Sequence, residues 1–440
     1  MTLTDPELVE AFPEAPIQRT VIARPGMFER LMVVITTFVV LHGLPNTWFT
    51  TRAEILQTDG GNPILFVLEM VLIGFAVMRI AGDFETLYQT LRLEPAISFL
   101  VGLALASTFW SSNLYLTAKD SIVLLAVTLY AAYLIMRFAL NEILRLLAAM
   151  FVLSAITNLV FVAAFPQYAV QTPTWDGVFA QKNALGFAAV IAVPALVTVA
   201  REHRRFSVLY YAAAIGHVVL LLGSQSKTML VATLATLALM VIYRGFRAKR
   251  TLRGAVIFGL ASASAFATAF ATANIALLSE FLDKDVTLTG RTVLWQDLIP
   301  IFFDRFFIGY GYGGAFGGYF SPIHEVWIQN RWDPSHAHNA LLQMGLELGV
   351  VGIIAYLFLF TRAISRAIRT IRDNPGPVGR WPLAFFSTAL LFSISESGVF
   401  SNSTAWMMFC VAVFSVSADQ RLRPRQTVLP PNAGLGSHAA

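Results

Sequence analysis

Apolar residues along the chain come in runs about as long as a bilayer is thick, and short polar segments separate them. Twelve such runs fit the 440 residues, at about 29–46, 62–80, 95–111, 120–136, 146–165, 184–200, 206–222, 228–243, 254–278, 339–361, 382–399 and 403–418. The longest polar interruption, 279–338, lies between the ninth and tenth runs. The pattern predicts an all-α polytopic membrane protein with about twelve transmembrane helices.

Composition supports this interpretation and divides the chain. Apolar residues make up 56% and charged residues only 13%, which excludes a set of soluble domains. The first 28 residues are polar and lack the pattern of a signal peptide, and the last 22 or so have the composition of a disordered tail. We therefore predict a cytoplasmic segment (1–28), spans 1–9 (29–278), a polar loop (279–338), spans 10–12 (339–418) and a cytoplasmic tail (419–440).

The distribution of positive charge predicts the orientation of these segments. When alternate loops are compared, 23 of the 31 lysines and arginines fall on the side that holds both termini. Because cytoplasmic loops retain positive charge, both termini are expected in the cytoplasm. The polar loop 279–338 would then be periplasmic in a bacterial inner membrane. The cations lie in short loops beside apolar runs, so the net charge of +5 does not indicate nucleic acid as a partner.

Three cations oppose this bias, because they lie in loops predicted on the outer face. Lys182 is in A-Q-K-N-A-L-G, Lys227 in G-S-Q-S-K-T, and Arg291 in L-T-G-R-T-V-L-W. Each cation alone is equally well explained by snorkelling to lipid headgroups. Three of them in polar, glycine-containing loops on one face favour a shared anion site.

The tenth span opens on His338 and Asn339, within S-H-A-H-N-A-L-L-Q. A helix N-terminus carries partial positive charge, which disfavours an imidazolium and favours a nearby phosphate. A neutral histidine beside an anion site suits a general base that deprotonates a hydroxyl while a phosphate-linked group departs. From position alone, a histidine that merely ends a helix at the headgroups explains His338 at least as well. His336, two residues earlier, is a second candidate for the base.

Three carboxylates lie within predicted spans: Glu69, Glu347 and Glu396. Charged groups at membrane depth are costly and count as functional candidates. Glu396, in S-E-S-G near the outer end of its span, ranks first. Three glycines recur on one face of the tenth span and are interpreted as a surface for close packing of another span, namely Gly345, Gly349 and Gly352.

At these residues the chain resembles the O-antigen ligase/Wzy polymerase superfamily, especially its ExoQ-like branch. The family's signature is a His, then Asn, Ser or Gln, nine residues, Gly, two residues, and Gly, Thr or Tyr. His338, Asn339, Gly349 and Gly352 match it in full. Supporting matches are K-N-A-L-G, S-Q-S-K-T and T-G-R-T-x-L-W, at 182–186, 224–228 and 289–295.

The resemblance implies a role for each matching residue. His338 would activate the acceptor hydroxyl, and Arg291 would hold the undecaprenyl pyrophosphate of the donor. Lys227 stands where ligases often have arginine, so it keeps the charge but loses the bidentate fork. Lys182 is the third expected pyrophosphate ligand, and the secondary candidates are Asn339, His336, Glu396 and Asn183.

The resulting hypothesis is a bacterial inner-membrane glycosyltransferase with a fold related to the GT-C class. It would polymerise undecaprenyl-pyrophosphate-linked repeat units into exopolysaccharide or O-antigen, with inversion at the anomeric carbon. No cofactor or metal is expected, because basic side chains can neutralise the leaving group. The partners would be the lipid-linked glycan donor, a glycan acceptor and membrane lipids.

Two alternatives remain. In the first, the protein is an O-antigen ligase, and the acceptor is a sugar of lipid A–core. In the second it is a polysaccharide transporter or flippase. The second is disfavoured, because transporters built from two six-span halves usually carry their longest loop in the cytoplasm after span 6.

Arg291→Lys is expected to damage turnover far more than Lys227→Arg, although both changes conserve charge. A guanidinium holds two phosphate oxygens in fixed geometry and an ammonium does not. Loss of the fork at Arg291 should cost on the order of 10²-fold in turnover, and Lys227→Arg should stay within about tenfold. The measurement is in vitro turnover of purified lipid-linked repeat units. Equal losses, or a larger loss for Lys227→Arg, would reverse the two assignments.

Overall fold

A computed structural model describes residues 25–45, 63–179, 181–243, 291–316, 321–324, 326, 328, 336–400 and 403–421. The described chain is helical, apart from turns, loops and one short antiparallel hairpin. That hairpin pairs β1 (Val170–Gln171) with β2 (Thr174–Trp175). The predicted all-α character is therefore confirmed for the part of the chain that the structure describes.

We number the described helices of eight or more residues α1 to α13. They are α1 Met27–Val40, α2 Pro63–Ala81, α3 Phe84–Leu91, α4 Pro95–Ala106, α5 Leu114–Arg137, α6 Leu140–Ala164, α7 Lys182–Glu202, α8 Ser207–Ser224, α9 Lys227–Ile242, α10 Arg291–Asp304, α11 Ala340–Asp373, α12 Pro377–Ser395 and α13 Ser403–Arg421.

Eleven of the twelve predicted spans coincide with helices. The remaining one, the ninth span at 254–278, lies outside the described residues. Within the described ranges, six helices are long and apolar enough to cross a membrane. A seventh span is possible if α3 and the segment Pro95–Trp110, which meet at 96°, count as one broken span. The chain is therefore a polytopic membrane protein, and the number twelve stays a prediction, as does the division into domains.

The core lies where α7 and α13 are enclosed by other helices. Every residue of α13 from Thr404 to Phe414 is buried, and so is every residue of α7 from Leu185 to Ala200 except Val197. Several other helices keep exposed apolar faces, as α2 does at Ile64, Val67 and Val71. An apolar exposed face is expected of a helix that borders lipid, so hydrophobicity alone did not reveal which helices are central.

Helix α11 is interrupted at Gly349, whose backbone (φ 65°, ψ −167°) is not helical. Two hydrogen bonds of the helical ladder are lost at such a break, which leaves two carbonyls and two N–H groups to be satisfied. The segment 306–311 supplies all four partners. Tyr310 N donates to Leu346 O at 2.8 Å and Gly311 N to Glu347 O at 2.9 Å. In return, the N–H groups of residues 350 and 351 donate to the carbonyls of residues 306 and 307 at 2.8 and 3.4 Å.

We call this exchange of backbone hydrogen bonds between α11 and the segment 306–311 the splice. Glycine is required in both of the segments that form it. A Cβ on Gly349 would lie 2.2 Å from the carbonyl carbon of Phe307, and one on Gly309 would lie 2.5 Å from that of Glu347. Both residues also have positive φ values, which glycine adopts at little cost. Gly349 therefore admits a loop backbone into the helix, a closer contact than the expected packing of another span.

Ion pairs hold the helices together at the end of the bundle remote from His338. Glu29 on α1 receives both a 2.8 Å bond from Arg137 Nε and a 2.8 Å bond from Arg137 Nη2. Glu94, which precedes α4, pairs with Arg366 and Arg362 of α11. Glu94 is 1% exposed, and Arg366 also donates to Ser417 of α13 at 2.7 Å. One buried carboxylate thus ties three helices together.

Glu94→Ala is expected to lower the thermal stability of the protein in detergent. Removal of one member of a buried ion pair leaves an uncompensated charge, at a cost of about 3 kcal/mol or more. The measurement is the apparent melting temperature by differential scanning fluorimetry. Glu85→Ala, on the exposed face of α3, is the control and should change it little. Equal melting temperatures for the two variants would contradict the structural role of Glu94.

Candidate functional site

A cluster of two histidines and one glutamate lies at the N-terminus of α11. His336 Nε2 is 3.1 Å from Glu396 Oε2, and His338 Nδ1 is 3.3 Å from the same oxygen. The two imidazole rings are 4.0 Å apart between centroids. Glu396 directly follows α12 and is buried, whereas both histidines are partly exposed. We call the end of the bundle that carries this cluster the His end.

Local structure fixes the segment that carries the histidines. Asn339 is the N-cap of α11, and its side chain accepts from the N–H groups of Leu341 and Leu342 at 3.0 Å. His338 has a φ of 50°, a left-handed conformation that is uncommon for residues other than glycine and often marks a functional position. Ala337, between the histidines, is held on both sides: its N–H donates to Gln343 Oε1 and its carbonyl accepts from Trp295 Nε1, each at 2.8 Å.

The charge of Glu396 determines how the histidines are protonated. Both histidines lie within hydrogen-bond distance of Glu396 Oε2, and hydrogen bonds to a carboxylate favour its ionised form. An ionised carboxylate only accepts hydrogen bonds, so His336 Nε2 and His338 Nδ1 are the donors. In neutral His338 the lone pair then lies on Nε2, which can act as a base.

The same three side chains are also able to hold a metal ion. One ligand atom from each of His336, His338 and Glu396 lies within 4.8 Å of the other two. Two imidazoles and a carboxylate are a ligand set that zinc and similar ions accept. The geometry is thus compatible with two uses of the cluster, a base oriented by a carboxylate or a cation site.

Two of the three predicted pyrophosphate ligands lie at adjacent helix N-termini. Lys182 opens α7 and Lys227 opens α9, and both are exposed. The two termini are joined by a 3.1 Å bond from Ser226 Oγ to Asn183 Oδ1. Helix N-termini add partial positive charge to that of the lysines. The K-N-A-L-G and S-Q-S-K-T motifs, which begin 42 residues apart in sequence, therefore form one positive patch, to which Asn183 contributes a positioning contact.

This patch lies at the His end. Phe187, one turn into α7, contacts Phe392, one turn before Glu396, with 4.4 Å between ring centroids. The N-terminus of α7 and the C-terminus of α12 are thus at the same level of the bundle. The structure brings the Lys182 and Lys227 helix termini to the same end as Glu396.

The third predicted ligand, Arg291, is the first residue of α10. The structure describes its backbone but not its side chain, so its convergence with Lys227 stays a prediction. Its helix is nevertheless connected to the cluster, because Trp295, one turn after Arg291, donates to Ala337. The T-G-R-T-x-L-W and H-A-H-N motifs are therefore in contact through Trp295.

Sequence reasoning missed two residues that organise the site. Gln343 links the histidine segment to the helix interior, since its amide also donates to Glu347 Oε1 at 2.8 Å. Its position midway between Asn339 and Glu347, at four-residue spacing on one helix face, was a signal that could have identified it. Tyr312 carries no such signal, because the sequence does not reveal that its hydroxyl donates to Phe400 O at 2.8 Å.

The other two membrane carboxylates differ in their surroundings. Glu347 is buried in α11 at the His end, where it accepts bonds from Gln343 and from the N–H of Gly313, the latter at 3.3 Å. Glu69 is buried in α2, and its Oε1 has no hydrogen-bond partner among the described residues. Within the described contacts only Glu347 and Glu396 are connected with the histidine segment.

Two comparisons with known proteins bear on this site. The family model described as O-antigen ligase matches residues 211–357, a range that includes Lys227, Arg291, His336 and His338. The "Exopolysaccharide production protein ExoQ" of Rhizobium meliloti (strain 1021) is 30% identical over 232 residues. The match covers 50% of this chain and 53% of that protein, so the chain spans about half the length of this curated relative.

Glu396→Gln, which preserves size and removes the charge, is expected to reduce turnover on the order of 10²- to 10⁴-fold, by analogy with catalytic His–carboxylate pairs. The neutral amide no longer stabilises the imidazolium that forms when His338 accepts a proton. The measurement is in vitro turnover of lipid-linked repeat units at matched protein levels. Glu69→Gln, which neutralises another buried carboxylate, is the control, and Glu396→Asp should restore part of the activity. Unchanged turnover in Glu396→Gln would remove Glu396 from the site.

Proposed function

We propose that this chain, whose resemblance to the O-antigen ligase/Wzy superfamily the two matches confirm, is a glycosyltransferase of exopolysaccharide production. In this proposal it polymerises undecaprenyl-pyrophosphate-linked repeat units at the outer face of the bacterial inner membrane. The observation that carries the proposal is the pairing of His338 with the ionised Glu396 at the end of the bundle that also holds the cationic helix termini.

The reaction uses His338 as the general base. The acceptor hydroxyl transfers its proton to His338 Nε2 as its oxygen attacks the anomeric carbon of the donor. The bond between that carbon and the pyrophosphate oxygen breaks, and its electron pair leaves with undecaprenyl pyrophosphate. Attack from the side opposite the leaving group inverts the anomeric carbon. Glu396 keeps Nδ1 protonated and balances the positive charge that develops on the ring.

The leaving group requires positive charge, which the helix termini supply. Negative charge grows on the pyrophosphate oxygen during bond cleavage, so preorganised cations stabilise the transition state more than the ground state. Lys182 and Lys227 stand at the N-termini of α7 and α9, where backbone N–H groups also favour an anion. Arg291 completes the set in this proposal. These cations take the role for which many glycosyltransferases use a metal ion.

The polymerase is preferred to the ligase because of the relative's printed name, which refers to exopolysaccharide production. The ligase is the second candidate, because the family model that covers the site is described as O-antigen ligase. The surface glycan of a deletion strain distinguishes them. Loss of high-molecular-weight exopolysaccharide with intact lipopolysaccharide supports the polymerase. Full-length lipid-linked O-chains that never reach the core support the ligase.

His338→Ala is expected to abolish polymer formation while the protein accumulates normally in the membrane. Without Nε2 no group at that position accepts the hydroxyl proton, so turnover should fall by about 10²-fold or more. The measurement is polymer yield in cells and turnover of purified lipid-linked repeat units. His336→Ala tests whether the neighbouring ring shares the role. His203→Ala is the control, because His203 follows the C-terminus of α7, at the end of that helix opposite Lys182. Normal polymer from His338→Ala at normal protein levels would refute the assignment.

The same assay separates the two uses of the histidine cluster. If His338 is the base and the cations neutralise the leaving group, dialysis against a chelator should leave turnover unchanged. Loss of turnover that a divalent cation restores would instead assign His336, His338 and Glu396 to a metal ion.

A further inference from the structure

A cavity of about 180 Å³ opens at the His end, between α5, α11, α13 and the loop that carries Tyr312 and Gly313. Its polar lining consists of Asp120, Glu347 and Ser403, and its aromatic lining of Tyr312, Phe400 and Trp406. The rest of its wall is aliphatic surface of α5. The volume equals that of about six waters, far more than a bare ion occupies.

Two connections tie this cavity to the site. Gln343 bonds to Ala337 beside the histidines and to Glu347 in the cavity, each at 2.8 Å. Glu396 and Phe400 belong to the same short segment after α12, so the carboxylate of the cluster and an aromatic wall of the cavity are four residues apart. The cavity therefore lies at the His end and is linked to the histidine segment through Gln343.

Glu347 presents an unsatisfied oxygen there. Both of its hydrogen bonds, from Gln343 and from Gly313, end on Oε1. Oε2 has no partner among the described residues, although the residue is only 3% exposed. A buried carboxylate oxygen without a donor is costly, so a ligand with donor groups is favoured in this cavity.

The aromatic residues offer apolar surface and no free donors. Phe400 packs edge-on against Tyr312 and against Trp406, at 5.0 and 4.9 Å between ring centroids. The Tyr312 hydroxyl donates to Phe400 O, and the Trp406 indole N–H donates to Thr128 Oγ1, each at 2.8 Å. A ligand in the cavity therefore meets hydrogen-bond acceptors on one side and a continuous apolar wall on the other.

These properties select one class of ligand. Asp120, whose Oδ1 is 3.4 Å from Lys119 Nζ, and Glu347 give the cavity an acidic lining, which favours a phosphate or a uronic acid less than a hydroxyl-bearing ligand. A divalent ion prefers six or more oxygens and makes no use of an aromatic wall. A neutral sugar has hydroxyl donors and an apolar C–H face, which match carboxylates and aromatic rings in the same small space.

We propose that the cavity binds one neutral or amino sugar of the acceptor glycan, with Glu347 Oε2 and Asp120 accepting bonds from its hydroxyls. The inference rests on the proposed function, since it names the acceptor subsite of that reaction. Bound there, the sugar would hold the glycan so that a neighbouring hydroxyl lies next to His338. An acceptor whose corresponding sugar is a uronic acid would be rejected.

The test measures binding without catalysis. The probe is the repeat-unit oligosaccharide, released from its lipid by mild acid and tritium-labelled, because it lacks the pyrophosphate and reports sugar recognition alone. Equilibrium dialysis against the protein in nanodiscs gives its affinity. Glu347→Gln should weaken binding about tenfold or more through loss of the hydrogen bond to Glu347 Oε2. Glu69→Gln, the matched buried carboxylate in α2, should leave it unchanged.

Asp120→Asn is the second variant, because its partly exposed side chain tolerates substitution (36% exposed), and it should also weaken binding. Equal affinity in the wild type and both cavity variants would overturn the subsite. Binding of Ca²⁺ without binding of oligosaccharide would also overturn the subsite, if Glu347→Gln abolished the binding of Ca²⁺. Turnover of the wild type, measured in parallel, tests the proposed function separately. Glu347-dependent binding without any turnover would refute the transferase and retain the subsite.

Discussion

The splice between α11 and the segment 306–311 is the interaction on which the candidate site depends. A helix broken in its interior has four unsatisfied backbone groups, which are costly to bury. Here the loop satisfies all of them, and only glycine at positions 309 and 349 allows the backbones to approach so closely. The splice fixes Tyr312 and Gly313 against Glu347. The part of α11 before Gly349, which contains Glu347, directly follows the histidine segment. The cavity and the proposed base are therefore set by one backbone arrangement.

Charge is separated at the His end in a way that suits the proposed chemistry. Lysines and helix N-termini form the positive patch of Lys182 and Lys227, whereas carboxylates lie at Glu396 and in the cavity. An anionic leaving group and a hydroxyl-bearing acceptor require opposite surroundings. In the proposed reaction each substrate therefore has a region of its own. Ion pairs such as that of Glu94 stabilise the remote end of the bundle.

Two interpretations changed when the structure was considered. From the sequence, only the field of the helix terminus is expected to act on His338, and this field disfavours positive charge on the ring. The structure adds the ionised Glu396, 3.3 Å away, which favours that charge and fixes the tautomer. The glycines of α11 were interpreted as one packing surface, but Gly349 admits a loop backbone. In both cases the deciding partner lies far away in sequence, at 58 and about 40 residues, so no local pattern could reveal it.

The sequence alone determined the helical membrane class, the resemblance to the superfamily, and the identities of His338, Lys182 and Lys227 as candidates. Hydrophobic run length and short motifs are local properties, so they can be recognised without coordinates. The tertiary structure decided which groups meet: Glu396 with two histidines, the termini of α7 and α9 with each other, and Glu347 with an aromatic cavity. These contacts join segments that are uniformly apolar, and an apolar helix carries no periodicity to show which face is central. Long-range packing supplies that information, because only packing assigns each buried polar group its partner.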